Sequence, residues 1–288
     1  MIKFTHKYIW KKLPFNLKKT LHDFLPKKIK SKLKKNVISE LSDAIVISFP
    51  KCGRTWLRVL LGELFKQHFN LKNEELIEIN RLANENNKVP RIYFSHDDNP
   101  HKKEPAELDK DKEFYKNQKI IFLVRDPRDV LVSIYHHKKY RSNDFSGDIN
   151  DYLNQKVGGL ESIIEFYNIW YESNENNPNF LLVSYENLHN KPSVEIKKIL
   201  NFLKVSSVSE SSITNAIKFA SFRNMRKIEL SGKANNDKLT AKKTHPETGY
   251  KTRSGKVGGY TQHFNDQELS KIENLISEKL SENYQLYK

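Results

Sequence analysis

Cysteine is nearly missing from this chain of 288 residues: Cys52 is the sole example. One thiol excludes an intramolecular disulfide, so the fold must rest on its core, as suits a reducing compartment and a cytoplasmic location. Long apolar runs are missing too, and none approaches the roughly 20 residues that a membrane-spanning helix needs. The scattered His and Asp residues lack ordinary zinc spacing, so no metal is expected. There is no internal repeat. Lysines interrupt every apolar stretch near the N-terminus, so this segment does not read as a secretory signal.

What is present fits a soluble globular protein: 37% hydrophobic residues and 11% aromatics, in a length suited to one sizeable α/β domain with appendages. The net charge of +15 is unevenly spread. Residues 1 to 36 carry 12 lysines against the lone acid Asp23, leaving +4 for the remainder. We therefore divide the chain into a basic amphipathic arm, residues 1–40, and a main domain, residues 41–288. The arm interleaves Phe4, Ile9, Trp10, Leu13 and Phe15 with lysine, and Pro14 and Pro26 break it into short helices. Three readings stand. The arm packs on the main domain with a solvated lysine face, contacts an anionic membrane peripherally, or is disordered.

Beyond the arm, short apolar runs recur at Ala44 to Phe49, Arg91 to Ser95, Ile120 to Val124 and Phe180 to Ser184. They read as strands of a mainly parallel sheet. Stretches with helical spacing separate or follow them: Leu57 to Phe69, Pro127 to Tyr140, Leu160 to Ser173, Ser193 to Leu203 and Glu210 to Ala220. The alternation predicts a three-layer α/β/α domain. Ser231 to His263 is rich in Lys, Gly, Thr and Asn and reads as a long open loop before a final helix from Asp266 to about Leu280.

The first strand runs into Ser48-Phe49-Pro50-Lys51-Cys52-Gly53-Arg54-Thr55-Trp56 and then a helix. Unpaired N–H groups at a helix start, with the helix dipole, make an anion site, to which Lys51, Arg54 and Thr55 add two cations and a hydroxyl. The lysine precedes the one glycine instead of following it, so the loop departs from the pattern of nucleoside triphosphatases. It resembles instead the 5′-phosphosulfate loop, P-K-S-G-T-T-W, of sulfotransferases that use 3′-phosphoadenosine 5′-phosphosulfate (PAPS). Cys52 and Arg54 stand where serine and threonine are common.

Two further stretches resemble motifs of that family. In Ile120 to Ser133 a strand ends in Arg125, Pro127 opens a helix, and Ser133 lies about two turns in, so a cation and a hydroxyl can meet on one phosphate. The stretch Arg253-Ser254-Gly255-Lys256-Val257-Gly258-Gly259-Tyr260 is similar to the family's third motif, R-K-G-x-x-G-[DN]-W. The resemblance implies a P-loop-NTPase-like fold and PAPS as sulfuryl donor without a metal. It implies that the 5′-phosphosulfate lies on Lys51, Cys52, Gly53, Arg54 and Thr55, and the 3′-phosphate on Arg125, Ser133, Arg253, Ser254 and Gly255. Trp56, Tyr185 and Phe222 fall where the family contacts adenine. The catalytic residues it implies are Lys51, His96 and Ser133, with His96 as general base. Asp97-Asp98 departs from the His-Leu-Pro sequence of many members, and one of these carboxylates is expected to orient the imidazole, raise its basicity or bind an acceptor hydroxyl. His101, His136 and His137 are expected at the surface or at the rim of the substrate site.

Two other functions compete. Cys52 to Arg58 also fits C-x₅-R, the phosphate loop of cysteine phosphatases, although no His precedes Cys52, no Ser or Thr follows Arg58, and Trp56 and Leu57 are bulky. A non-catalytic protein that binds polyanions or membranes through its arm is the other. Nucleic acid is not expected as a partner. The acceptor is a small molecule, glycan or lipid, and the basic arm and open Ser231 to Lys256 segment hint that it is anionic or membrane-associated.

Overall fold

In the computed structural model of this chain, which describes residues 42–72, 77–232, 239–241 and 245–288, the four apolar runs form one parallel sheet. The strands are β1 (Ala44–Ile47), β2 (Ile92–Ser95), β3 (Ile120–Val124) and β4 (Phe180–Ser184), in the order β2-β1-β3-β4. Ile47 pairs with Ser95 on one side and Phe122 on the other, so β1 and β2 end at one level and β3 runs two residues further. β1 and β3 are buried along their whole lengths, as central strands covered on both faces must be. The basic arm lies outside the described residues.

Ten helices of the described residues complete the layers. They are α1 (Arg54–His68), α2 (Ile79–Glu85), α3 (Pro127–His137), α4 (Ile149–Leu153), α5 (Leu160–Glu172), α6 (Tyr185–Asn190), α7 (Pro192–Leu203), α8 (Glu210–Phe219), α9 (Phe222–Ser231) and α10 (Asp266–Lys279). α3 starts where Pro127 predicts, with Asp126 as its cap accepting from the Arg128 N–H at 2.9 Å. It stops at His137, short of Tyr140, and one turn of π-helix, Lys138–Ser142, carries the chain on. α5 supplies the aromatic centre of the core: Trp170 is fully buried and stacks on Phe122 of β3 at 5.7 Å between ring centres. Each such ring pair adds about 0.5–1.5 kcal/mol beyond its buried area.

From β1 the chain moves to one edge of the sheet, and from β3 to the other. The crevice at the strand ends between β1 and β3 is therefore where the connections diverge, the usual ligand position in a sheet of this kind. The loop from Ser48 to Gly53 and the residue Arg125 both sit there.

Candidate functional site

The Ser48–Gly53 loop turns by means of two left-handed residues, Lys51 (φ 76°) and Gly53 (φ 93°). Gly53 caps α1 without a side chain. A methyl group at this position would lie 2.6 Å from the Tyr185 ring, so both conformation and space demand glycine. Tyr185 is the first residue of α6, a helix too short to show periodicity, and its ring organises the site. Trp56 meets it edge-on at 5.4 Å, and the Arg125 guanidinium stacks over it at 4.5 Å. The Trp56 indole is held in turn by a 2.8 Å hydrogen bond to the Ala220 carbonyl.

A cavity of about 840 Å³ opens at this crevice. Lys51, Gly53, Arg54, Thr55 and Trp56 line it from the first loop, with Arg125 and Ser133 from β3 and α3. His96, Tyr185, Phe222 and Gly255 complete the set of predicted residues on its wall. Three predicted residues are placed differently. The Cys52 side chain is fully buried, its Sγ 3.3 Å from the Tyr167 hydroxyl. Arg253 and Ser254 lie off the wall; Arg253 is near enough to Arg125 for their charges to interact, and the Ser254 hydroxyl accepts from the Lys256 N–H at 3.3 Å.

Burial pushes the Cys52 thiol up to about 12. A phosphatase nucleophile needs the opposite, an acidified and accessible thiolate, so the geometry opposes that competing function.

His96 follows Ser95, the last residue of β2, and its Nδ1–H donates to the Ser48 carbonyl at 2.8 Å. Because a carbonyl only accepts, this bond leaves the lone pair of the neutral ring on Nε2. Burial, and then the nearby Arg54 charge, holds the imidazole well below its usual range, so it is unprotonated at neutral pH. The expected orienting role of Asp97 or Asp98 is not what the structure shows. The chain turns through three left-handed residues, Asp97, Asp98 and Asn99, and Asp97 instead accepts from the Tyr115 hydroxyl at 2.8 Å and pairs with buried Lys112 at 2.7 Å. Asp98 pairs with Lys103. A backbone carbonyl, invisible to sequence patterns, orients the ring.

Four further residues shape the site without a sequence signal. Lys251 reaches to 3.5 Å from the Thr55 hydroxyl. Burial and the neighbouring Lys51 charge lower it to about 7, while burial and Arg141 lower Lys51 to about 8. Glu229, fully buried in α9, pairs with Arg141 at 3.1 Å and accepts from the Lys251 and Thr252 N–H groups at 2.8 Å each. The described part of the expected open loop is thus fastened. Asp129 of α3 accepts from Arg125 at 3.2 Å and from the Gly258 and Tyr260 N–H groups, clamping the third motif against the second. The Tyr167 hydroxyl donates to the Arg125 carbonyl at 2.8 Å and accepts its N–H at 3.0 Å. It thereby joins Arg125 to the Cys52 turn.

The remaining histidines divide. His101 and His137 stand on the cavity wall, as expected of rim residues, whereas His136 is buried, stacked on Tyr140 at 5.5 Å. No group of His, Cys, Asp and Glu among the described residues is arranged to hold a metal ion. No helix among them is long and apolar enough to cross a membrane.

Comparison with known proteins agrees with this geometry. The model of the sulfotransferase domain matches residues 41–284, and the chain belongs to that family. It is 28% identical to the rabbit amine sulfotransferase over 295 residues, which cover 96% of this chain and 92% of the relative. Among solved structures, mouse sulfotransferase SULT7A1 complexed with PAP superposes with a TM-score of 0.62 at 21% identity, covering 85% of this chain and 86% of the other. Retinol dehydratase in a complex with retinol and PAP gives 0.59 at 18%, covering 88% and 86%. The fold is that of the family, and the chain is a sulfotransfer enzyme.

Proposed function

We propose that this enzyme takes its sulfuryl group from PAPS and delivers it to a hydroxyl or amine acceptor, with His96 as general base. The observation that carries the proposal is the meeting of Lys51, Arg54, Thr55 and Lys251 with an unprotonated imidazole on one cavity wall.

The residues suit the nucleotide. Arg54 Nη1 and Arg125 Nε are buried donors with no hydrogen-bond partner among the described residues, and Lys51 and Lys251 repel each other. Phosphate and sulfate oxygens would satisfy all four. The space that Gly53 leaves beside Tyr185 lets a ligand approach the backbone closely. Lys51, Gly53, Arg54 and Thr55 would hold the 5′ end, and Arg125 with Ser133 the 3′-phosphate. Trp56, Tyr185 and Phe222 form an aromatic wall for the base. Two of the neighbouring solved structures contain PAP, the product that PAPS leaves.

When bound, PAPS supplies a sulfuryl group whose 5′-phosphate is the leaving group. His96 accepts the acceptor's proton at Nε2 while its Nδ1–H stays on Ser48. Lys51 and the first N–H groups of α1 stabilise the negative charge that develops on the 5′-phosphate. Tyr167 and Asp129 hold Arg125, and so act through the residue that binds. The arrangement contributes through positioning, general base catalysis and preorganised charge.

Calorimetric titration with adenosine 3′,5′-bisphosphate, with adenosine 5′-monophosphate and magnesium–ATP as controls, tests this reading. We expect metal-independent binding that requires the 3′-phosphate and weakens at least tenfold in Arg125→Ala. Equal affinity for the three nucleotides would overturn it.

A further inference from the structure

The wall of the cavity carries six cationic side chains among the described residues: Lys51, Lys102, Arg125, Lys138, Lys251 and Arg54. It carries one carboxylate, Asp144. Four of those cations belong to the nucleotide end described above. Lys102 and Lys138 do not. Lys102 belongs to the short turn Pro100–Lys102 beyond β2, and Lys138 follows the last residue of α3, so two separate elements supply them. Lys102 is exposed and Lys138 half-buried. Burial disfavours the charge on Lys138 most; Asp144 favours it, and Lys102 opposes it more weakly, so two lysines and one carboxylate leave this end of the wall with a net positive charge.

Two more histidines, His101 and His137, share the wall with His96. The His96 and His101 rings lie 6.4 Å apart. Burial and the charges of Lys138 and Lys102 lower His101 to about 4; burial and Lys51 lower His137 to about 3. Both rings are therefore neutral at pH 7 and able to donate or accept one hydrogen bond at each nitrogen. Their Nδ1 atoms are buried and have no partner among the described residues. Buried polar atoms are ordinarily satisfied, and the cavity is where a partner for these would come from. Among the apolar residues of the wall, Trp56, Tyr185, Ala220 and Phe222 gather round the nucleotide end, while Ile134 of α3 lies one turn before Lys138.

Resting on the assignment of PAPS to the nucleotide end, we propose that the natural acceptor is a hydroxyl compound bearing its own anionic group. Its hydroxyl lies at His96, its polar body between His101 and His137, and its carboxylate, phosphate or sulfate at Lys102 and Lys138. An apolar alcohol would leave the two histidine nitrogens unsatisfied and the excess positive charge of Lys102 and Lys138 over Asp144 uncompensated. A protonated amine would be repelled by that excess charge. Both penalties act against the wrong acceptor and need no tight fit for the right one.

Three phenols of similar size separate these cases: 4-hydroxyphenylacetate, 4-(2-hydroxyethyl)phenol and 4-(2-aminoethyl)phenol, an anion, a neutral molecule and a cation. Each is titrated into the full chain saturated with adenosine 3′,5′-bisphosphate, and sulfuryl transfer to each is followed from PAPS. The anion is expected to bind at least tenfold more tightly than the neutral phenol, and the cation least. Lys102→Gln/Lys138→Gln is expected to bring anion and neutral phenol within a factor of about two, with unchanged affinity for the nucleotide. Equal affinities in the unaltered enzyme, or no binding of any phenol to the nucleotide complex, would overturn the proposal while leaving the nucleotide assignment intact. Failure of adenosine 3′,5′-bisphosphate to bind at all would overturn the nucleotide assignment itself, and this proposal with it.

Discussion

His96 and Cys52 show how differently two reactive side chains fare in one crevice. The imidazole is neutral, oriented through Nδ1 and on the cavity wall. The thiol is sealed in the core against Tyr167. Replacing His96 by Ala should lower kcat by about 10²–10⁴-fold, as loss of a general base does, and leave the calorimetric affinity for adenosine 3′,5′-bisphosphate within a few-fold. Cys52→Ser should keep transfer activity, because the site uses that residue's backbone and a hydroxyl can replace the thiol beside Tyr167. Steady-state kinetics on the two variants checks both; an inactive Cys52→Ser enzyme that still binds the nucleotide would contradict the assignment. Sequence made these two residues visible as candidates through their motif positions. It could not rank Lys251, whose distance to Thr55 spans 196 positions of chain.

At the scale of elements, the site depends on how two strand-to-helix turns are held together. β1 and β3 place the first loop and Arg125 side by side, and α5 fastens both from beneath through Tyr167. Tyr167→Phe removes the acceptor of the Arg125 N–H in a buried position, a change worth about 1–3 kcal/mol. We expect Tm to fall by roughly 3–10 °C in thermal melts, together with weaker nucleotide binding, since Arg125 loses its anchor. A variant with wild-type Tm and nucleotide affinity would show that the bridge is dispensable. The strands and long helices were legible beforehand because buried parallel strands are continuous apolar runs and amphipathic helices repeat every three to four residues. Helices α2, α4, α6 and α9 were not foreseen. They are short or polar, and α9 owes its place to a buried carboxylate, Glu229, that pairs with Arg141 far along the chain.

The whole molecule carries a pH signature from these buried groups. His96, His101, His136 and His137 are all held below the usual histidine value, burial first and neighbouring cations second. The unfolded chain takes up those protons near pH 6.5, before the folded one does, so stability is full above that pH and is lost as pH falls below it. Lys51 and Lys251, lowered to about 8 and about 7, act in the same direction between neutral pH and about pH 10. Glu186, raised by burial, opposes the histidines at acid pH, and Cys52, pushed up to about 12, opposes the two lysines at alkaline pH. The ligand-free protein should therefore melt several degrees lower at pH 5 than at pH 8; a flat profile in calorimetric scans would contradict the buried neutral histidines. The same division runs through the whole protein. Local chain chemistry sufficed for the parallel sheet, the glycine turn that opens α1, the capped start of α3 and the family, because each depends on residues within a turn or two of one another. Which side chains reach the cavity, that a carbonyl orients His96, that Cys52 is sealed away and that Lys102, Lys138 and Asp144 share one wall emerged only when strands and loops distant in sequence closed on one crevice, since charge and desolvation act through space and not along the chain.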